Sequence, residues 1–132
     1  GLYMICTLSK HQAEKEGYTD SLMLDHEGNI AEATSANIFF KDNKDELHTP
    51  IPDSFLDGIT RKTVIDLAKS KNIKIHERKI SPDELSNFKG CFITGTAAEI
   101  TPVGSIADNN FEVCDLIKDL STSYEVLVGK NN

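Results

Sequence analysis

The chain has 132 residues, 39% apolar and 27% charged, with a net charge of −7. That length carries one domain with a core of its own, spanning residues 1–132, and the composition is that of a globular protein and not a disordered one. The acidic balance argues against nucleic acid as a partner, and the longest apolar runs, "SLML" and "NIFF", fall far short of the ~20 residues a membrane span needs.

Residues 2–16, "LYMICTLSKHQAEKE", read as a helix closed by Gly17. "SLMLDHEGNIAEA" reads as a hairpin, Leu22 to Asp25 and Ile30 to Ala33 around a turn with Gly28 and Asn29. "SANIFFKD" is the next strand and "ELHTP" a short fourth, with the polar turn "DNKD" between them. "IPDSFLDG" is a loop, and "ITRKTVIDLAKSKN" carries a helical stripe of Ile59, Val64, Ile65, Leu67 and Ala68. "IKIHERKI" alternates as a strand. "SPDELSNF" is a short helix with Ser81 as N-cap and Pro82 at its first position. "CFITG" is an apolar strand and "DLIKDLSTSYEVLVG" a final helix. Hairpins mixed with separate helices place the chain in the α+β class.

No basic start followed by an apolar core opens the sequence, and three scattered cysteines, Cys6, Cys91 and Cys114, lack metal-ligand spacing. Such usage fits reduced thiols and a cytoplasmic location. His11, His26, His48 and His76 show no HxxxH spacing and read as surface or satisfied histidines, so no metal is expected. "HERK" and "KDNKDE" read as solvated charge runs. The chain opens Gly-Leu-Tyr without an initiator methionine, and so reads as a piece of a longer polypeptide.

Three stretches could carry chemistry. In "LDGITRKT" a glycine precedes Ile59 and Thr60 where a helix starts, and free amides with the positive end of the dipole attract anions. The alternative is an ordinary start capped by Asp57. In "NIAEATSANIFF", Glu32 sits among small apolar neighbours, where a carboxylate needs a cationic partner or points to water. Asn37 reads more simply as a turn former. In "CFITGTAAEITP", Thr94 to Ala98 supply consecutive amides and two hydroxyls with little bulk, either an anion-binding concavity or a tight bend.

Two anion traps and an enclosed carboxylate on one small domain suit a phosphorylated cofactor with a basic ring. In the blocks "GLYMICTLSKHQAEKEGYTDSLMLDHEGNIAEATSANIFF", "LDGITRKTVIDLAK" and "ITGTAAEITPVGSI", the sequence resembles class IV pyridoxal-phosphate aminotransferases, most closely the branched-chain amino acid aminotransferases. The resemblance covers about residues 1–106. It implies the large, carboxy-terminal domain of the fold-type IV enzymes, a mixed or antiparallel sheet with flanking helices.

The resemblance implies roles for particular residues. Tyr3 would bond the phenolic oxygen of pyridoxal 5'-phosphate, and Glu32 would pair with the ring nitrogen. Gly58, Ile59, Thr60 and Thr96 would hold the phosphate. The amides of Thr96 and Ala97 would bind the substrate carboxylate, with Arg61 in a structural role. The reaction implied moves an amino group from leucine, isoleucine or valine to 2-oxoglutarate, in an oligomer when full length.

The Schiff-base lysine of that family falls just upstream of Gly1, as does its small amino-terminal domain. The chain alone is therefore expected to be inactive. Ala36 stands where many members carry a glutamate. D-amino acid aminotransferase and aminodeoxychorismate lyase share the cofactor residues and remain alternatives within the superfamily. A non-catalytic module with a vestigial phosphate cup is the alternative outside it.

Overall fold

A computed structural model describes residues 3–8, 19–24, 29–33, 36–51, 59–95, 100–106 and 109–127. Side chains are described for 29–30, 37–51, 61–94, 100–106 and 109–127. In chain order the elements are β1 (Tyr3–Leu8), β2 (Thr19–Leu24), β3 (Ile30–Ala33), β4 (Ala36–Lys41), β5 (Leu47–Thr49) and α1 (Ile59–Ser70). There follow β6 (Ile75–Glu77), a 3₁₀ helix (Pro82–Asn87), β7 (Gly90–Gly95), β8 (Ile100–Ile106), β9 (Asn109–Asn110) and α2 (Asp115–Leu127).

The sheet order is β3-β2-β1-β8-β7-β4-β5-β6, and β3 also pairs with β4. Six antiparallel strands thereby form a ring that closes at one pair, Ala33 opposite Ala36. Further along the same edge of β4, β5 takes over, with Phe40 opposite His48 and Lys41 opposite Leu47. β5 and β6 run parallel. A parallel pair needs a long crossover, and α1 supplies it. This mixed sheet with flanking helices is the α+β arrangement read from the sequence.

Period-two alternation splits the core between the faces of β4 and β7. Ile38, Phe40, Cys91 and Ile93 join one cluster, closed by Leu85 and Phe88 around the 3₁₀ helix. Phe39 and Phe92 join the other, under Val64 and Ala68 of α1 and Ile117 and Leu120 of α2. The Phe39 and Phe92 rings stack with centroids 5.0 Å apart and planes 8° from parallel.

Most elements fall where the sequence places them, but β1, β8 and the two-residue β9 do not. The first half of the stretch read as a helix, 2–16, is β1 instead. Its Tyr, Ile and Thr favour a strand. A short apolar run of this kind cannot be told from a helix by periodicity alone, and the pairing with β2 and β8 makes it a strand. β8 was not expected as a strand. Pro102 and Gly104 interrupt it, and its buried residues Ile100, Val103 and Ile106 are spaced by three. The register against β1 jumps from Thr7–Ser105 to Leu8–Val103, so Gly104 lies in a bulge.

The charged runs are more structural than their composition suggests. Lys41 is buried and pairs with Asp45 at 2.9 Å. His48 and His76 stack at 4.6 Å, each against its own carboxylate, Asp42 at 2.8 Å and Glu46 at 2.7 Å. Arg78 donates to both oxygens of Glu84 and to Nδ1 of His48. Ser81 caps the 3₁₀ helix as expected, and Glu84 completes a capping box.

Burial pushes the Asp42 carboxyl up, but the His48 hydrogen bond and the amides of Glu46 and Lys44 outweigh it and hold it below 3.8. The Arg78 fork, chiefly, holds Glu84 below 4.5. Groups depressed by folding stabilise fully above their unfolded values, and lose that stabilisation as pH falls through the lower folded ones. The urea midpoint is therefore expected to hold from pH 7 to about 5 and to fall below about 4. Glu84→Gln should lower the unfolding free energy by about 1–2 kcal/mol at pH 7 and flatten that fall. An unchanged acid slope in Glu84→Gln would count against the assignment.

Candidate functional site

Two sets of residues distant in sequence are brought together at the closed end of the ring. Tyr3 stands opposite Met23, and Met23 opposite Glu32, so β1, β2 and β3 place Tyr3 and Glu32 in one row. Two strand spacings put those positions about 10 Å apart. The next residue after Glu32 is Ala33, the closing partner of Ala36, and Ala36 stands opposite Gly95 at the end of β7. Glu32 therefore lies one residue from the row that joins Ala33, Ala36 and Gly95 across β4.

The start of α1 belongs to the same end. Thr49 Oγ1 donates to the Ile38 carbonyl at 2.7 Å, and Ile38 stands opposite Ile93, one residue before Thr94. From the first turn of α1, Arg61 Nη2 donates to the Pro50 carbonyl at 3.3 Å and to Glu77 Oε1 at 2.7 Å. These contacts fasten the start of α1 beside the ends of β5, β4 and β7. Ile59 and Thr60 are the first two residues of α1, as read from the sequence. Gly58, Thr96 and Ala97, and the expected cap Asp57, lie outside the described residues.

The guanidinium of Arg61 is buried, whereas the Glu77 side chain is half exposed. "HERK" is thus no plain solvated face: its glutamate is the counter-ion at the helix start. Nothing in the local pattern marks a pair 16 residues apart; only the β5–α1–β6 crossover makes it visible. Removing the carboxylate takes the Glu77 counter-ion from a buried guanidinium, so Glu77→Ala is expected to lower stability by about 2 kcal/mol. Glu77→Gln, which keeps an acceptor, should lower it by under about 1 kcal/mol. Urea unfolding of the two variants checks the difference, and equal losses would refute it.

Thr94, one of the two hydroxyl residues read from the sequence as a possible anion-binding concavity, is the other notable feature. The residue is fully buried, and the hydroxyl has no hydrogen-bond partner among the described residues. An unpaired polar atom at the edge of a site marks a place where a ligand group can be received.

Solved aminotransferases share this arrangement. The model of the amino-transferase class IV family matches residues 1–106. The chain belongs to that family. A probable branched-chain-amino-acid aminotransferase of Rickettsia felis is 45% identical over 111 residues, covering 84% of this chain and 38% of the relative. The branched-chain aminotransferase of Thermoproteus uzoniensis, solved with norvaline, superposes with a TM-score of 0.78 at 33% identity, over 94% of this chain and 42% of that one. An aminotransferase of Brucella abortus bound to the co-factor PLP gives 0.78 at 26% identity, over 90% and 42%. The chain thus spans less than half the length of the relatives it matches.

Proposed function

We propose that this chain is the cofactor-binding part of a pyridoxal-phosphate-dependent transaminase. The full-length polypeptide would move the amino group of leucine, isoleucine or valine to 2-oxoglutarate. The observation that carries the reading is the convergence of the Tyr3–Glu32 row, the end of β7 and the start of α1 at one end of the ring. The donor set fits the group. A phosphate needs uncompensated N–H and O–H donors, and a helix start with a buried, unpartnered hydroxyl beside it offers both.

In this reading Glu32 presents its carboxylate to the ring nitrogen and keeps it protonated. Tyr3 donates to the phenolic oxygen. The amide of Ile59 and the amide and hydroxyl of Thr60 hold the phosphate. Gly58 leaves room for that approach, and Thr96 closes the phosphate on its other side. The amides of Thr96 and Ala97 orient the substrate carboxylate. When bound, the cofactor supplies the electron sink for breaking the Cα–H bond of the amino acid.

The lysine that shuttles that proton is supplied from outside this chain, as are the small domain and most of the side-chain pocket. The full-length protein is proposed as a cytoplasmic homo-oligomer serving amino-acid biosynthesis. Glutamate formed from leucine and 2-oxoglutarate is the test. The full-length polypeptide should turn over, and the 132-residue chain with added cofactor should not. Turnover by the isolated chain, or a full-length protein that ignores all three branched amino acids, sinks the reading.

A further inference from the structure

We propose that Thr94 is a further residue of the phosphate subsite, its buried hydroxyl the donor that a phosphate monoester satisfies. The proposal rests on the reading above that this end of the sheet takes a phosphate. It assigns a role to a residue that the family resemblance left without one.

Thr94 is completely shielded from solvent, and its Oγ1 finds no partner among the described residues. A buried hydroxyl without a hydrogen bond is destabilising, and few such groups persist in a fold without a use. Its surroundings indicate the use. Thr94 sits one residue before Gly95, opposite Asn37 on β4 and Ile100 on β8. Residues two apart on a strand share a face, so Thr94 faces the same side as Phe92, which packs with Val64 and Ala68 of α1.

The hydroxyl therefore lies on the helix-covered face, at the end where α1 begins and Arg61 ties its first turn to Pro50 and Glu77. The positive end of the α1 dipole at Ile59 and Thr60 and the orphan hydroxyl are independent features that both favour an anionic acceptor. A phosphate monoester presents several acceptor oxygens at once and can serve both. A carboxylate has only two oxygens, which suits the amides proposed for the substrate better than this corner.

Thr94→Val removes the hydroxyl at nearly constant shape, and Thr94→Ser keeps it. The 132-residue chain and both variants are titrated by calorimetry with pyridoxamine 5'-phosphate, with inorganic phosphate and with pyridoxamine, and their ligand-free forms are melted. Thr94→Val is expected to weaken both phosphate-bearing ligands about tenfold, with Thr94→Ser restoring them to within about twofold. Pyridoxamine, which lacks the phosphate, should bind Thr94→Val as it binds the unsubstituted chain. Ligand-free Thr94→Val should melt no lower than the unsubstituted chain, since an unpaired buried hydroxyl has been removed.

A hydroxyl serving only the fold gives the reverse pattern: a lower melting temperature in Thr94→Val with unchanged phosphate affinity. That outcome overturns the proposal and leaves the cofactor reading standing. Failure of the unsubstituted chain to bind pyridoxamine 5'-phosphate overturns the cofactor reading itself, and this inference with it.

Discussion

Phe92→Ala is expected to lower the stability of the chain by about 4 kcal/mol. Domains of this size hold only about 5–15 kcal/mol in total, so the variant should be close to unfolding at body temperature. Phe92 is fully buried and stacks on Phe39 between the sheet and the two helices. Truncation removes an aromatic side chain from close packing and leaves a cavity that the rigid β4–β7 ladder cannot close. The urea midpoint should drop by about 2 M. Phe39→Ala should behave alike, and the double variant should lose less than the sum, by about 1 kcal/mol, because one stacking partner has already gone.

The functional consequence separates this core from the other. Phe40 stacks on Phe88 at 4.9 Å in the cluster on the opposite face. Phe40→Leu and Phe92→Leu are milder changes with similar losses. Only Phe92→Leu loosens the seat of α1, whose first turn is proposed to hold the phosphate. At a temperature where both variants are folded, amide exchange in α1 should accelerate in Phe92→Leu alone, and its phosphate affinity should fall. Equal affinity in the two variants would separate the packing of α1 from the site.

What could be read from the residues beforehand was mainly local. The start and stripe of α1 follow from a glycine and a helical period, and the Ser81–Pro82–Glu84 cap forms within four residues. β1 was misread because its two-sided pairing is a property of the sheet, and β8 was missed because the bulge at Gly104 and the proline at 102 hide its alternation. The site shows the same division. Glu32, Thr60 and Thr96 stand out by residue type and neighbours. That Tyr3 and Glu32 share a row, that Glu77 answers Arg61, and that Thr94 is left unpaired all depend on contacts between distant segments. Such facts arise from the pairing of separate strands and from the β5–α1–β6 crossover, which no local pattern announces.

Glu32→Gln is where the largest effect on turnover is expected. An opposite charge beside a titrating nitrogen shifts its pKa by about 1–3 units, each unit a tenfold change in equilibrium. Without the carboxylate the proposed ring nitrogen loses its proton near neutral pH, and the electron sink weakens with it. The proposed leucine-to-2-oxoglutarate transfer by the full-length polypeptide should fall about 100-fold in rate, with the main loss in kcat, because the phosphate contacts proposed at the start of α1 would keep holding the cofactor. Tyr3→Phe, which removes one hydrogen bond and no charge, should lose about tenfold. The diagnostic is the pH profile: the rate of Glu32→Gln should recover toward acid pH, where solvent supplies the proton that the carboxylate no longer holds, while Glu77→Ala should keep the unsubstituted profile despite its lower stability. A Glu32→Gln enzyme that turns over at the full rate, or loses activity evenly at every pH, would remove Glu32 from the ring nitrogen and leave the row it shares with Tyr3 as a feature of the sheet alone.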